Sequence, residues 1–234
     1  MRYVVVNADD FGASPGVNRG IVESHRRGIV TSTSLMVEMP GSREAAGLAR
    51  ESSSLSVGLH VSLPDKEWKS DADLPTPAAV RAALEAQLGR FEELLGRPPT
   101  HLNSHHHIHT RPFLLPHFEA LASGCAIPLR DCSGIRYCSR FYGQWGGESR
   151  PEEVSAEALI RVLETETAEG LTELGCHPGR PDPALASSYS AERELELRAL
   201  CDERVRSFVE REAIVLVGFD EVRPMIGLSD RGIQ

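Results

Sequence analysis

No run in this sequence approaches the ~20 apolar residues of a membrane span. The opening Met1-Arg2-Tyr3-Val4-Val5-Val6 meets two aspartates almost at once, short of the ~7–15 apolar residues a secretory leader needs. A cytoplasmic protein is the expectation. The five cysteines are odd in number and form no Cys-x-x-Cys pair, which argues for reduced thiols and against a thiolate metal centre. Positive charge is short as well: 25 Lys and Arg face 34 Asp and Glu. The resulting net charge of −9 disfavours a nucleic-acid backbone or an anionic membrane surface as partner. A glycine-rich loop able to cradle phosphate is missing, which argues against phosphate esters. Nothing repeats and nothing marks a linker, so 234 residues read as one domain spanning 1–234.

What is present begins with Tyr3-Val4-Val5-Val6, an apolar run suited to a strand buried on both faces of a parallel sheet. It leads into Asn7-Ala8-Asp9-Asp10-Phe11-Gly12. Ser14-Pro15 then supplies an N-cap and first-turn proline for a helix that closes at Gly28. Further strands are expected at 29–39, 56–63, within 100–109, and at 126–130, 171–176 and 213–219, with helices between them. The clearest helix starts at Thr76-Pro77 and stops at Gly96. A helical stretch over 191–212 reads as one helix or two. The alternation implies an α/β fold, either a TIM-like (β/α) barrel or an open parallel sheet. About seven strands make an incomplete or distorted barrel the leading picture. Loops 64–76 and 132–151, aperiodic and long, are expected to lie over one mouth as lids.

Ionisable residues gather at strand ends: Asp9 and Asp10, His60, the histidines of 101–109, and His177. Each has an ordinary explanation when taken alone. An Asp commonly caps a turn, a strand histidine is commonly a hydrogen-bonded core residue, and His177-Pro178-Gly179 reads as turn chemistry. If 101–109 were extended, alternation would send His101, Asn103, His105, His107 and His109 to one face. Jointly, one carboxylate and two imidazoles from different strands can hold a divalent ion with positions left open. A second carboxylate beside them can accept a proton from water. Adjacent strand residues point to opposite sides, so Asp9 and Asp10 share a site only if the chain bends, as Phe11-Gly12 permits. Trp68, Tyr142 and Trp145 fall in the lid loops, where an aromatic face can stack on a ligand or simply anchor the loop.

Four stretches together resemble the YdjC-like carbohydrate deacetylases: Asn7-Ala8-Asp9-Asp10-Phe11-Gly12, Gly58-Leu59-His60, the run His101 to His109, and Cys176-His177-Pro178-Gly179. The segments 28–33 and 189–197 also resemble that family, and the likeness runs through nearly the whole chain in order. The resemblance implies a TIM-like barrel that removes an N-acetyl group from an amino sugar. It implies Asp10, His60 and His105 as metal ligands, Asp9 as general base, and His177 as general acid or the partner that orients it. Arg130 resembles an arginine that braces Asp9 or binds substrate. Relatives use magnesium, whereas two imidazoles suit zinc, cobalt, nickel or manganese. The implied partner is a small acetylated saccharide, and a homodimer is compatible with it. Where the family commonly has Asp, this chain has Asn103. The rival readings are another metal-dependent hydrolase or isomerase on the same barrel, or a silent sugar-binding protein.

Overall fold

The computed structural model describes residues 1–64, 74–167, 169–183, 185 and 187–227. Its centre is β1 (Arg2–Phe11), buried from Val4 onward and paired in parallel on both edges. On one edge lies β8 (Gly170–Cys176), in register from Arg2 to Ala8. The other edge is shared between β9 (Ile214–Leu216), along Arg2–Val4, and β2 (Ser32–Leu35), along Asn7–Phe11. Beyond β2 come β3 (Ser56–Val61) and β4 (Leu102–Ser104); beyond β8 comes β5 (Arg136–Cys138). The seven strands form a curled parallel sheet, the incomplete barrel expected from the alternation of strands and helices.

The two faces of β1 carry different cores, as a period of two requires. Val4, Val6 and Ala8 join the large apolar layer between sheet and helices. Val5 packs inside the curl with Ile135, Val217, Phe219 and Val222, while Tyr3 and Leu171 lie against them. This inner plug closes the lower end of the curl. Above it the inward residues of β1 turn polar, Asn7 and then Asp9, both buried.

The expected fifth strand at 126–130 amounts to one bridge, Leu129 to Leu102. The strand that pairs instead is β5, inside the stretch expected to be a lid. The segment from 129 to 138 thus borders β4 at its start and β8 at its end. Pro128, which lacks an N–H, enters as an acceptor from Leu102, and Arg130 N–H returns a bond to Leu102. The rest of that lid holds a small hairpin, β6 (Gln144–Trp145) and β7 (Glu148–Ser149), turned through Gly146 and Gly147. Strands expected at 29–39 and 213–219 shrink to β2 and β9.

Helices follow their punctuation. α1 (Pro15–Arg27) is capped by Ser14, whose side chain accepts from Val17 N–H, and stops at Gly28. α2 (Ser42–Arg50) follows β2, and α3 (Pro77–Leu95) runs from the Thr76 cap to Gly96 in the left-handed region. α4 (Leu115–Cys125) and α5 (Ala156–Glu166) cover the sheet further on. The 191–212 stretch is two helices, α6 (Ser190–Leu200) and α7 (Glu203–Arg211), split where Asp202 caps the second. Among the described residues no helix is long and apolar enough to cross a membrane.

Candidate functional site

The upper end of β1 departs from strand geometry at Asp10, whose φ of 68° lies in the left-handed region. Between Ala8 and Phe11 the register against β2 slips: three steps along β1 match two from Thr33 to Leu35. This bulge turns both carboxylates to the same side. The bend therefore starts one residue earlier than Phe11-Gly12, at the acid itself. An L-residue held there costs ~1–2 kcal/mol, the kind of strain that a surrounding structure must over-determine. Gly12 (φ 93°) completes the turn, where a Cβ would meet the Met36 carbonyl oxygen at 2.8 Å.

Asp10 uses its two oxygens differently. Oδ1 faces His105 Nδ1 at 3.1 Å and His60 Nε2 at 3.3 Å, whereas Oδ2 accepts from Arg193 Nη2 at 2.5 Å. The three ligand atoms of Asp10, His60 and His105 lie within 4.8 Å of one another, a donor set that fits a divalent ion. Burial alone would raise the Asp10 pKa; Arg193 and the two histidines overcome it and hold the carboxyl well below its usual range. His60 comes from β3, and its Nδ1 donates to Asn103 Oδ1 at 2.6 Å, which leaves Nε2 aimed at Asp10.

Asp9 sits beside this group in a different environment. Its Oδ1 accepts from Asn7 (2.8 Å), Ser34 (3.0 Å), Arg130 Nη2 (2.8 Å) and, longer, Asn103 (3.4 Å). Among the described residues its Oδ2 accepts from Arg130 Nη1 alone, at 2.7 Å, and faces His177 Nε2, 3.9 Å away. Desolvation pushes the Asp9 pKa up, but Arg130 and His60 drive it far below the carboxylate range. Arg130 is itself buried between two acids, since it also donates to Glu173 Oε1 from Nε (2.8 Å) and Nη2 (2.6 Å). The ring of Tyr137 covers its guanidinium at 4.5 Å.

His177 follows β8. Its backbone N–H donates to the buried Glu196, and Tyr189 donates its hydroxyl to the same carboxyl. Burial lowers the His177 pKa to about 4 and raises that of Glu196 to about 8. Tyr189 also accepts from Gly143 N–H at 2.7 Å and stacks on Tyr142 at 4.6 Å, joining the hairpin segment to α6. Tyr142 meets Trp145 edge-on at 6.1 Å, and Trp145 is 43% exposed. Asp9, Asp10, His60, His105, His177, Tyr142 and Trp145 all line one cavity of about 590 Å³, within the range of small-molecule sites. Trp68 lies outside the described residues.

The histidine run does not stay extended. After β4 the chain turns through a 3-10 segment, His105–Thr110, with His106 and His107 in the left-handed region. His105, His106 and His107 line the cavity. His109 instead packs on Phe118 and pairs with Ser104, and His101 stacks on Phe219 at the bottom of the curl, 3.9 Å between ring centres. The reading from sequence missed Ser34, Glu173, Tyr189, Arg193 and Glu196. Glu173 alone carried a signal of its own, as the one charged residue in an otherwise neutral strand, where a buried acid requires a cation.

Residues 3–211 match the family model of YdjC-like proteins. A carbohydrate deacetylase of Brevibacillus brevis is 34% identical over 94% of this chain and 99% of its own length. A chitooligosaccharide deacetylase of Serratia marcescens is 32% identical over the same shares. Among solved structures, an Enterococcus faecalis protein provisionally described as a cellobiose-phosphate cleavage protein superimposes with a TM-score of 0.81 at 27% identity, covering 94% of this chain and 98% of that one. A family 4 carbohydrate esterase of Streptomyces lividans, in complex with acetate, shares the fold: TM-score 0.59 at 11% identity, with 93% and 91% covered. With a match that leaves only the two ends of the chain aside, and relatives above 30% identity along almost their full length, this chain belongs to the YdjC-like protein family.

Proposed function

We propose that this protein is a metal-dependent deacetylase that removes an N-acetyl group from an amino sugar or acetylated oligosaccharide. The observation that carries the reading is the convergence of Asp10 Oδ1, His60 Nε2 and His105 Nδ1 on one point, with Asp9 and His177 beside it. The names of the curated relatives support the same substrate class. A divalent ion held by Asp10, His60 and His105 would polarise the acetyl carbonyl and lower the pKa of a water toward ~7. Magnesium follows from the family resemblance; the two imidazoles favour zinc, cobalt, nickel or manganese.

The protein's own residues move the proton. Asp9 Oδ2 takes the proton from the attacking water. Arg130 holds that carboxylate in place and keeps it ionised at every working pH. His177 is neutral at pH 7, so the proton it delivers to the departing amine arrives during turnover. His177 Nε2 stands 3.9 Å from Asp9 Oδ2, so the two groups that handle the proton lie side by side. Tyr142 and Trp145 offer aromatic faces to the sugar's C–H surfaces, and Trp68 belongs to the same proposal.

The test is acetate release from N-acetylated oligosaccharides with added divalent metals, alongside metal binding. Asp10→Asn and His105→Ala are expected to lose ion and turnover together. Asp9→Asn is expected to keep the ion and lose ~10²–10⁴ in kcat. Near-normal turnover in Asp9→Asn would remove it as the base, and no acetate from any substrate with a bound ion would favour a silent sugar-binding protein.

A further inference from the structure

The sequence reading left Arg193 unassigned, although its side chain is 8% exposed and borders the cavity. It reaches in from α6 past Gly179, whose missing Cβ would stand 3.1 Å from Arg193 Cδ. Nη2 donates to Asp10 Oδ2 and Nη1 to the His177 carbonyl at 3.3 Å, while Nε has no protein partner among the described residues. A guanidinium in this position does two opposed things. It neutralises a buried carboxylate that would otherwise be costly without an ion. It also sets a fixed positive charge on the far side of the ligand a dication needs, and it occupies the second oxygen with which Asp10 would grip that dication in bidentate fashion.

Resting on the metal reading above, we propose that Arg193 is a positioning residue that confines Asp10 to one-oxygen ligation. It weakens ion binding and so preserves open coordination positions for water and the acetyl group. The arginine therefore opposes the affinity of the site it belongs to. The reason is electrostatic: a unit charge within a few Å of a dication costs more, at an effective dielectric of ~20, than the orientation of one carboxylate returns. Charge should then matter more than shape. Lysine at this position keeps the repulsion and loses the planar fork; glutamine keeps a hydrogen bond and loses the repulsion.

The experiment measures Zn²⁺ and Co²⁺ dissociation constants by competition with a chromophoric chelator for wild type, Arg193→Gln and Arg193→Lys, together with the visible absorption of the Co²⁺ forms. Arg193→Gln is expected to bind roughly tenfold or more tighter. Its Co²⁺ bands should weaken as Asp10 contributes a second oxygen and the coordination number rises. Arg193→Lys is expected within about threefold of wild type. Equal or weaker binding by Arg193→Gln, with a wild-type cobalt spectrum, would overturn the proposal. Should that variant fold only with metal present, a metal-induced rise in Tm larger than that of wild type reads the same difference. No ion binding by wild type at all would instead sink the metal reading, together with everything built on it.

Discussion

Asn103 shows how much one amide can settle. Its oxygen fixes the tautomer of His60, and its nitrogen donates to Ser34 at 3.1 Å and, more distantly, to Asp9. A carboxylate there would still hold His60, yet it would place a third acid around Asp9 and Glu173, which already share one arginine. That an amide stands at 103 was legible in the sequence; what it does was not, because its neighbours come from β1, β2 and β3. Asn103→Ala is expected to weaken metal binding ~10–100-fold, as loss of an orienting partner does, measurable by chelator competition. His109 gives a residue-scale prediction about pH. Burial lowers its pKa to about 4, below the ordinary 6.5 of an unfolded chain. The unfolded state therefore holds more protons between those values, and stability present above pH 6.5 is lost as pH falls to 4. This amounts to about 3 kcal/mol. Urea titrations of His109→Gln across that window should show a slope shallower by about one proton.

Elements whose ends are written locally were readable to the residue. Thr76-Pro77 and Gly96 bracket α3, and Ser14-Pro15 and Gly28 bracket α1, because caps act through neighbouring backbone. Elements made by distant partners were not. Arg136-Tyr137-Cys138 has no strand pattern and is extended because β8 offers an open edge. The left-handed turn at His106 and His107 broke an alternation that would have held in a longer strand. Packing between elements gives a further test. A Cβ at Gly58 would lie 2.4 Å from the His101 ring, so Gly58→Ala should cost ~1–3 kcal/mol in chemical denaturation with little change in the metal constant. The hairpin segment hangs on Tyr189. Tyr189→Phe removes both the acceptor for Gly143 N–H and a donor to Glu196, which holds the His177 backbone, so it is expected to raise KM for the proposed saccharide and to lower kcat as well.

At the scale of the molecule, the sequence carried the fold class and most of the side chains that the structure brings around one cavity, among them Asp9, Asp10, His60, His105 and His177. It did not carry the buried counter-charges, Arg193 and Glu173, which matter only once α6 and β8 are placed. The apolar plug of Val5, Val217, Phe219 and Ile135 has one more consequence. Filled from below by those side chains, the curl leaves the cavity, among the described residues, to be entered from above. If the proposed substrate seats its acetyl group deepest, beside Asp10, with the sugar behind it, the amine product leaves first and acetate follows. Product inhibition should record that queue: acetate competing directly with the acetylated sugar, the deacetylated sugar acting noncompetitively.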